Sequence, residues 1–177
     1  SGQTKRQLKL MQDFSPRIIA CTPSYCLYMV EEAKEMGLDP RKCSWDIGIF
    51  GAEPWSESMR GEIEAGWNML ATDVYGLSEI IGPGVSQECQ HKDGLHIFSD
   101  VFYPEIIDPD TGKPVEEGQD GELVITTLTK QGIPLIRYRT RDIVSMTTEV
   151  CKCGRTSPRV SKIKGRTDDM IVVRGIN

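Results

Sequence analysis

Between residues 17 and 77 the apolar residues change their spacing from one short segment to the next, and this alternation restricts the possible folds more than any other feature. Arg17-Ile18-Ile19-Ala20-Cys21 is a short apolar run, and Thr22-Pro23-Ser24 then offers a helix cap with proline just inside it. In "SYCLYMVEEAKEMG" the residues Leu27, Val30, Ala33 and Met36 recur at helical spacing until Gly37 stops the helix. "WDIGIFG" reads as a strand, "SESMRGEIEAGW" as a helix begun at Ser56, and "LATDVYG" as a further strand. Strand, helix, strand, helix, strand demands parallel pairing through right-handed crossovers.

Ligands of such sheets bind beyond the carboxyl ends of the strands. Two strand ends carry unusual loops, "GIFGAEPWSE" and "VYGLSEIIGPG". If their strands are neighbours, the loops face one crevice. Glycine-rich turns are also common where a strand simply meets a helix, so this reading stays open at this point.

From residue 86 the texture changes. "GLHIFSD", "FYPEIIDPDTG", "GELVITTLT" and "IPLIRYRTRDIVSM" are short β-rich runs separated by turn residues, the pattern of an antiparallel sheet or small barrel. The expected fold class is therefore α/β: a parallel-sheet subdomain with crossover helices over residues 1–85, then a β-rich, barrel-like subdomain over 86–160. Residues 161–177 form a trailing segment in which "GRTDD" precedes a strand-like run. In "LIRYRTRD", Ile136, Tyr138, Thr140 and Asp142 share one strand face and Arg137, Arg139 and Arg141 the other. The arginine face has to meet solvent, an anion or another domain. Asp142 can accept hydrogen bonds from a pair of vicinal hydroxyls, or it can be a solvated strand end.

A chain of 177 residues supports one ordinary domain or two small subdomains. No apolar run approaches the roughly 20 residues that span a bilayer, so no membrane partner is expected. A net charge of −5 with dispersed basic residues disfavours nucleic acid, which needs a concentrated cationic surface. The start lacks the features of a secretory signal, and the six cysteines then point to reduced thiols or metal ligands in a cytoplasmic protein.

Cys151-Lys152-Cys153-Gly154 is a C-x-C turn, while Cys89, His91 and His96 open the β-rich part. A structural zinc takes four nitrogen or sulfur ligands in a tetrahedron. Cys89, Cys151 and Cys153 with one histidine supply them, and His96, on a strand, is held more rigidly than His91. Ordinary reduced thiols with a surface histidine are the alternative. Cys21, Cys26 and Cys43, the three tryptophans and Met36, Met59 and Met69 read as core or interface residues.

Taken in order, "GAEPWSE", "YGLSE", "GELVITTLT…PLIRYRTRD" and "GRTDDMIVVRG" resemble the adenylate-forming enzymes that make acyl-CoA thioesters, and most closely the phenylacetate-CoA ligases. The resemblance runs over essentially the whole chain, as an internal part of such an enzyme. It implies an aryl-acid:CoA ligase of phenylacetate catabolism, acting through an acyl-adenylate with release of AMP and pyrophosphate. ATP, Mg²⁺ and coenzyme A are the implied cofactors, and a homodimer stays open. In the nucleotide site, Tyr75 stacks on adenine beside Gly76 and a backbone wall of Gly51, Ala52, Glu53 and Pro54. Ser78 touches the α-phosphate, Glu79 helps hold Mg²⁺, Asp142 takes the ribose hydroxyls, and Arg166 reaches ribose and phosphate. Ile80, Ile81, Gly82 and Pro83 line the acyl pocket, with phenylacetate the preferred acid. Asp168 sits at the family's hinge, in a linker toward a C-terminal domain. "EC…GLH" with "C-x-C-G-R-T" is shared by some relatives, in keeping with the zinc reading.

Nothing in residues 1–177 fits the family's Ser/Thr/Gly-rich phosphate loop, and its C-terminal lysine falls beyond residue 177. The isolated chain is therefore expected to lack ligase activity. Two other readings remain: an adenylating enzyme that loads an aryl acid onto a carrier protein, and a non-catalytic, zinc-stabilised interaction module.

Overall fold

The computed structural model describes residues 3–168. These divide between Asp73 and Val74 into two compact units. The strand-like run expected after "GRTDD", and with it the end of the 161–177 segment, lies outside the described residues.

The first unit begins with α1 (Thr4–Phe14), a helix the sequence reading did not anticipate. Its signal is thin: Thr4, Leu8 and Met11 form a narrow buried stripe in an otherwise polar segment. Ser15 closes the helix in the left-handed conformation, its N–H donating to the Met11 carbonyl. The expected alternation then follows as β1 (Ile18–Cys21), α2 (Pro23–Glu35), β2 (Ile47–Phe50), α3 (Glu57–Trp67) and the first half of β3 (Leu70–Leu77). β1 pairs with β2 and β2 with β3, both in parallel.

Pro23 opens α2, where a missing N–H costs nothing. α3 starts at Ser56, whose side chain accepts from the Met59 N–H. α2 buries Cys26, Met29, Val30 and Ala33, with Leu27 and Met36 at the margin of the same core. Trp67 and Trp45 meet edge to face at 4.6 Å, and the Trp67 indole N–H donates to the Cys26 carbonyl. Cys26 is thus a small core residue, and Cys21 and Cys43 pack against the same core.

The second unit begins at Val74. Beyond Gly76 the chain departs from the expected loop: β3 continues to Leu77, a tight turn follows, and β4 (Ile81–Glu88) returns antiparallel to it. Gly84 permits this close return, because a Cβ there would come within 2.6 Å of Val74 Cγ2. β5 (Leu95–Ile97) pairs with β4 and also with β10 (Arg159–Val160), which in turn pairs with β9 (Met146–Thr147).

The remaining strands form a separate antiparallel sheet: β6 (Phe102–Ile107), β7 (Gly121–Thr127), β8 (Tyr138–Val144) and β11 (Gly165–Arg166), in the order β11-β8-β7-β6. Ile80, Val85, Leu95, Ile97, Phe102, Leu123, Ile125, Val144 and Val160 are among the residues of the core of this unit. The fold is mixed α/β, with one parallel part and one antiparallel sheet.

The arginines of β8 find protein partners. Arg137 donates to Glu105, and Arg139 to the fully buried Glu122. The other Glu122 oxygen accepts the backbone N–H of Arg141, whose φ of 70° marks an irregularity facing the register shift in β7.

Candidate nucleotide-binding site

The second unit gathers Tyr75, Glu79, Tyr138, Asp142, Arg166 and Asp168 from three strands, a turn and the segment after β11. Asp142 lies on β8 directly opposite Arg166 of β11. It is 3% exposed, and both of its oxygens are engaged. Oδ2 accepts the Tyr75 hydroxyl at 2.5 Å and Oδ1 accepts Arg166 Nη1 at 2.6 Å. Arg166 also forks onto Asp168 through Nε and Nη2, at 2.7 and 2.9 Å.

Burial pushes the Asp142 carboxyl above its ordinary value, while the Tyr75 hydroxyl and the Arg166 guanidinium pull it back down. Burial, followed by the Asp142 charge, pushes the Tyr75 phenol up, so it stays a donor. Asp168 is the largest influence raising Arg166, which keeps the guanidinium charged.

Glu79 stands in the β3–β4 turn with its side chain exposed. Its Oε1 accepts the Tyr138 hydroxyl at 3.1 Å, and its backbone carbonyl accepts Lys130 Nζ at 2.5 Å. Tyr138 and Lys130 were absent from the expected site. Tyr138 was legible, since it shares a strand face with Asp142; Lys130 carried no local signal. Ser78 is exposed beside Glu79.

Of the expected acyl-pocket residues, Ile80 is 1% exposed within the core cluster, Ile81 is half-exposed, and Gly82 faces open space. Pro83 lies in β4. Gly51, Ala52, Glu53 and Pro54 follow β2 in the first unit. There Ala52 has φ of 68° and Glu53 accepts the Ser24 N–H at 2.7 Å, at the start of α2.

A second cluster lies in the same unit. Cys89, His96, Cys151 and Cys153 bring one ligand atom each within 4.8 Å of one another. His91 is not among them; its backbone N–H donates to Cys89 Sγ at 3.4 Å. The backbone N–H of Arg155 is the main cause holding the Cys153 thiol below its usual value.

A buried aspartate with lone pairs to spare can accept from ligand hydroxyls, and the Arg166 guanidinium paired with it can meet an anionic group. The model of the AMP-binding enzymes matches residues 2–129, and the chain belongs to that family. Within it, the chain is 51% identical over 177 residues to a phenylacetate-coenzyme A ligase of Thermus thermophilus and 52% identical to one of Aromatoleum evansii. Each match takes in 99% of this chain and 40% of the relative, so the chain spans about two fifths of those proteins. Among solved structures, 2-hydroxyisobutyryl-CoA ligase in complex with 2-HIB-AMP and CoA superimposes with a TM-score of 0.90 at 29% identity. That match takes in 98% of this chain and 37% of the ligase. No helix among the described residues is long and apolar enough to cross a membrane.

Proposed function

We propose that this chain is part of an ATP-dependent aryl-acid:CoA ligase, with phenylacetate the preferred acid. The acid carboxylate attacks the α-phosphate of ATP, forming an acyl-adenylate and releasing pyrophosphate; the CoA thiol then displaces AMP. The observation that carries the reading is the Tyr75–Asp142–Arg166 network with Glu79 in the adjoining turn.

The residues fit their proposed tasks. Tyr75 offers a ring face to adenine while its hydroxyl orients Asp142. Asp142 binds the ribose hydroxyls; a carboxylate has about four lone-pair sites, and only two are taken here. It is buried, so the nucleotide enters as Arg166 swings off Oδ1 toward ribose and phosphate. Glu79 is a hard, exposed oxygen ligand suited to Mg²⁺, which neutralises phosphate charge. Tyr138 and Lys130 fix the turn that presents Glu79. Ser78 is placed to touch the α-phosphate, and Ile81, Gly82 and Pro83 to adjoin the acyl group. Asp168, paired with Arg166, serves as the pivot between the two half-reactions. Reduced thiols favour a cytoplasmic setting.

The activity is that of a protein of the relatives' length, and the 177-residue chain alone does not turn over. The test is AMP formation by that longer protein with ATP, Mg²⁺ and a panel of aryl acids, with and without CoA. CoA-dependent AMP and thioester from phenylacetate, lost in Glu79→Gln, support the reading. Adenylate that free CoA never captures assigns the acceptor to a carrier protein instead, and no adenylate with any acid overturns the proposal.

A further inference from the structure

We infer that Cys89, His96, Cys151 and Cys153 form a closed structural zinc site, separate from the nucleotide chemistry and independent of the ligase reading. Four ligand atoms within 4.8 Å of one another can close on one ion, and two of their separations already have the length of a tetrahedral edge. Zinc bonds of about 2.3 Å to sulfur and 2.0–2.1 Å to nitrogen set edges of about 3.8 Å between sulfurs and about 3.6 Å between sulfur and nitrogen. Here Cys89 Sγ and Cys151 Sγ are 3.8 Å apart, and Cys153 Sγ is 3.5 Å from His96 Nε2.

The surroundings are those of a metal site. His96 engages its other ring nitrogen, Nδ1, with Ser157 Oγ at 3.2 Å, which leaves Nε2 for the ion. Cys89 Sγ accepts the His91 N–H, a bond that suits a thiolate. Gly154, at φ +85°, closes the turn that presents both C-x-C sulfurs, its N–H donating to the Cys151 carbonyl. Cys89, His96 and Cys151 are buried and Cys153 is half-buried.

A disulfide does not account for the cluster. All six cysteines are free, and a Cys89–Cys151 bridge would leave Cys153 and the imidazole unmatched. Four protein ligands leave no open position for a substrate or an activated water, so the ion's role is structural. It ties together the end of β4, the middle of β5 and the turn before β10, and so holds the strands on both sides of His96.

The experiment is elemental analysis of the protein purified without a histidine tag, followed by mercurial titration with a chromogenic chelator and by replacement of the metal with cobalt. One zinc per chain is expected, released as the cluster thiols are modified. The cobalt form should show the strong visible absorption and sulfur charge-transfer band of a tetrahedral thiolate site. Ser157→Ala should bind zinc roughly 10–100-fold more weakly, as loss of an outer-shell partner does. Cys153→Ser, at the least buried ligand, should lose stoichiometric metal, while Cys43→Ser, outside the cluster, should retain it. Zinc well below one per chain, or full zinc in Cys153→Ser, overturns the assignment. Stoichiometric iron in place of zinc overturns it as well.

Discussion

Replacing Tyr75 with phenylalanine separates two properties of one side chain. The ring remains, and with it any face for adenine, but the hydroxyl that donates to Asp142 Oδ2 at 2.5 Å is lost. Asp142 is 3% exposed, so no bulk water replaces that donor, while Arg166 still holds Oδ1. A hydrogen bond to a charged group contributes about 1.5–3 kcal/mol. With one partner kept, the loss near neutral pH should be about 2 kcal/mol, read by urea unfolding. The pH dependence has a definite sign. Burial raises Asp142 above its unfolded value, so its ionisation disfavours the folded state, and removing a hydroxyl that lowers it widens the gap. The cost of Tyr75→Phe should therefore be smallest below the wild-type folded Asp142 value, grow as pH rises from that value to the higher one of the variant, and level off above it. In a double-mutant cycle with Asp142→Asn, the coupling should be at least about 1 kcal/mol. A coupling below about 0.5 kcal/mol, or a cost that does not change with pH, would refute the reasoning.

Tyr138→Phe should leave folding nearly unchanged, because that hydroxyl serves an exposed carboxylate; the full-length protein should instead need more Mg²⁺ for half-maximal adenylation, by several-fold, with a smaller change in the nucleotide KM. An unchanged Mg²⁺ requirement removes Tyr138 from the site. Gly121→Ala should destabilise by about 1–3 kcal/mol as overpacking does, since its Cβ would lie 2.6 Å from the Ile107 carbonyl oxygen and 2.8 Å from Ile106 Cγ2. Gly132→Ala, with open space around it, is the control; equal unfolding midpoints for the two variants contradict the packing described.

The parallel half of the fold was legible because its elements are short, punctuated by capping residues and strongly periodic. α1 escaped because only three of its residues are buried and its N-terminus lacks a side-chain cap. The β3–β4 hairpin escaped for the opposite reason: "IIGPG" carries the glycines and proline of a loop, and only Gly84's contact with Val74 shows why a strand needs them. Strand alternation placed Tyr138 and Asp142 on one face but could not foresee that Glu122, some 20 residues earlier, would collect Arg139 and the Arg141 N–H. All four members of the Cys/His cluster were legible, from the C-x-C turn and the Cys and His that open the β-rich part; what the structure adds is how they meet, through the pairing of Arg159 with His96.

That pairing also orders the folding of the second unit in time. His96 and Arg159 cannot meet until the intervening chain has been drawn into a loop, and the entropy of closure falls on the first contact to form. β6, β7 and β8 pair with sequence neighbours inside that loop, and by assembling first they shorten the span to be closed. We predict that β10 docks last: in pulsed hydrogen exchange, amides of β6–β8 gain protection before those bridging β5 and β10, and simultaneous protection would discount this order. The late strand is also the one that follows the C-x-C turn, so the four-ligand cluster is completed only when the rest of the unit is already built.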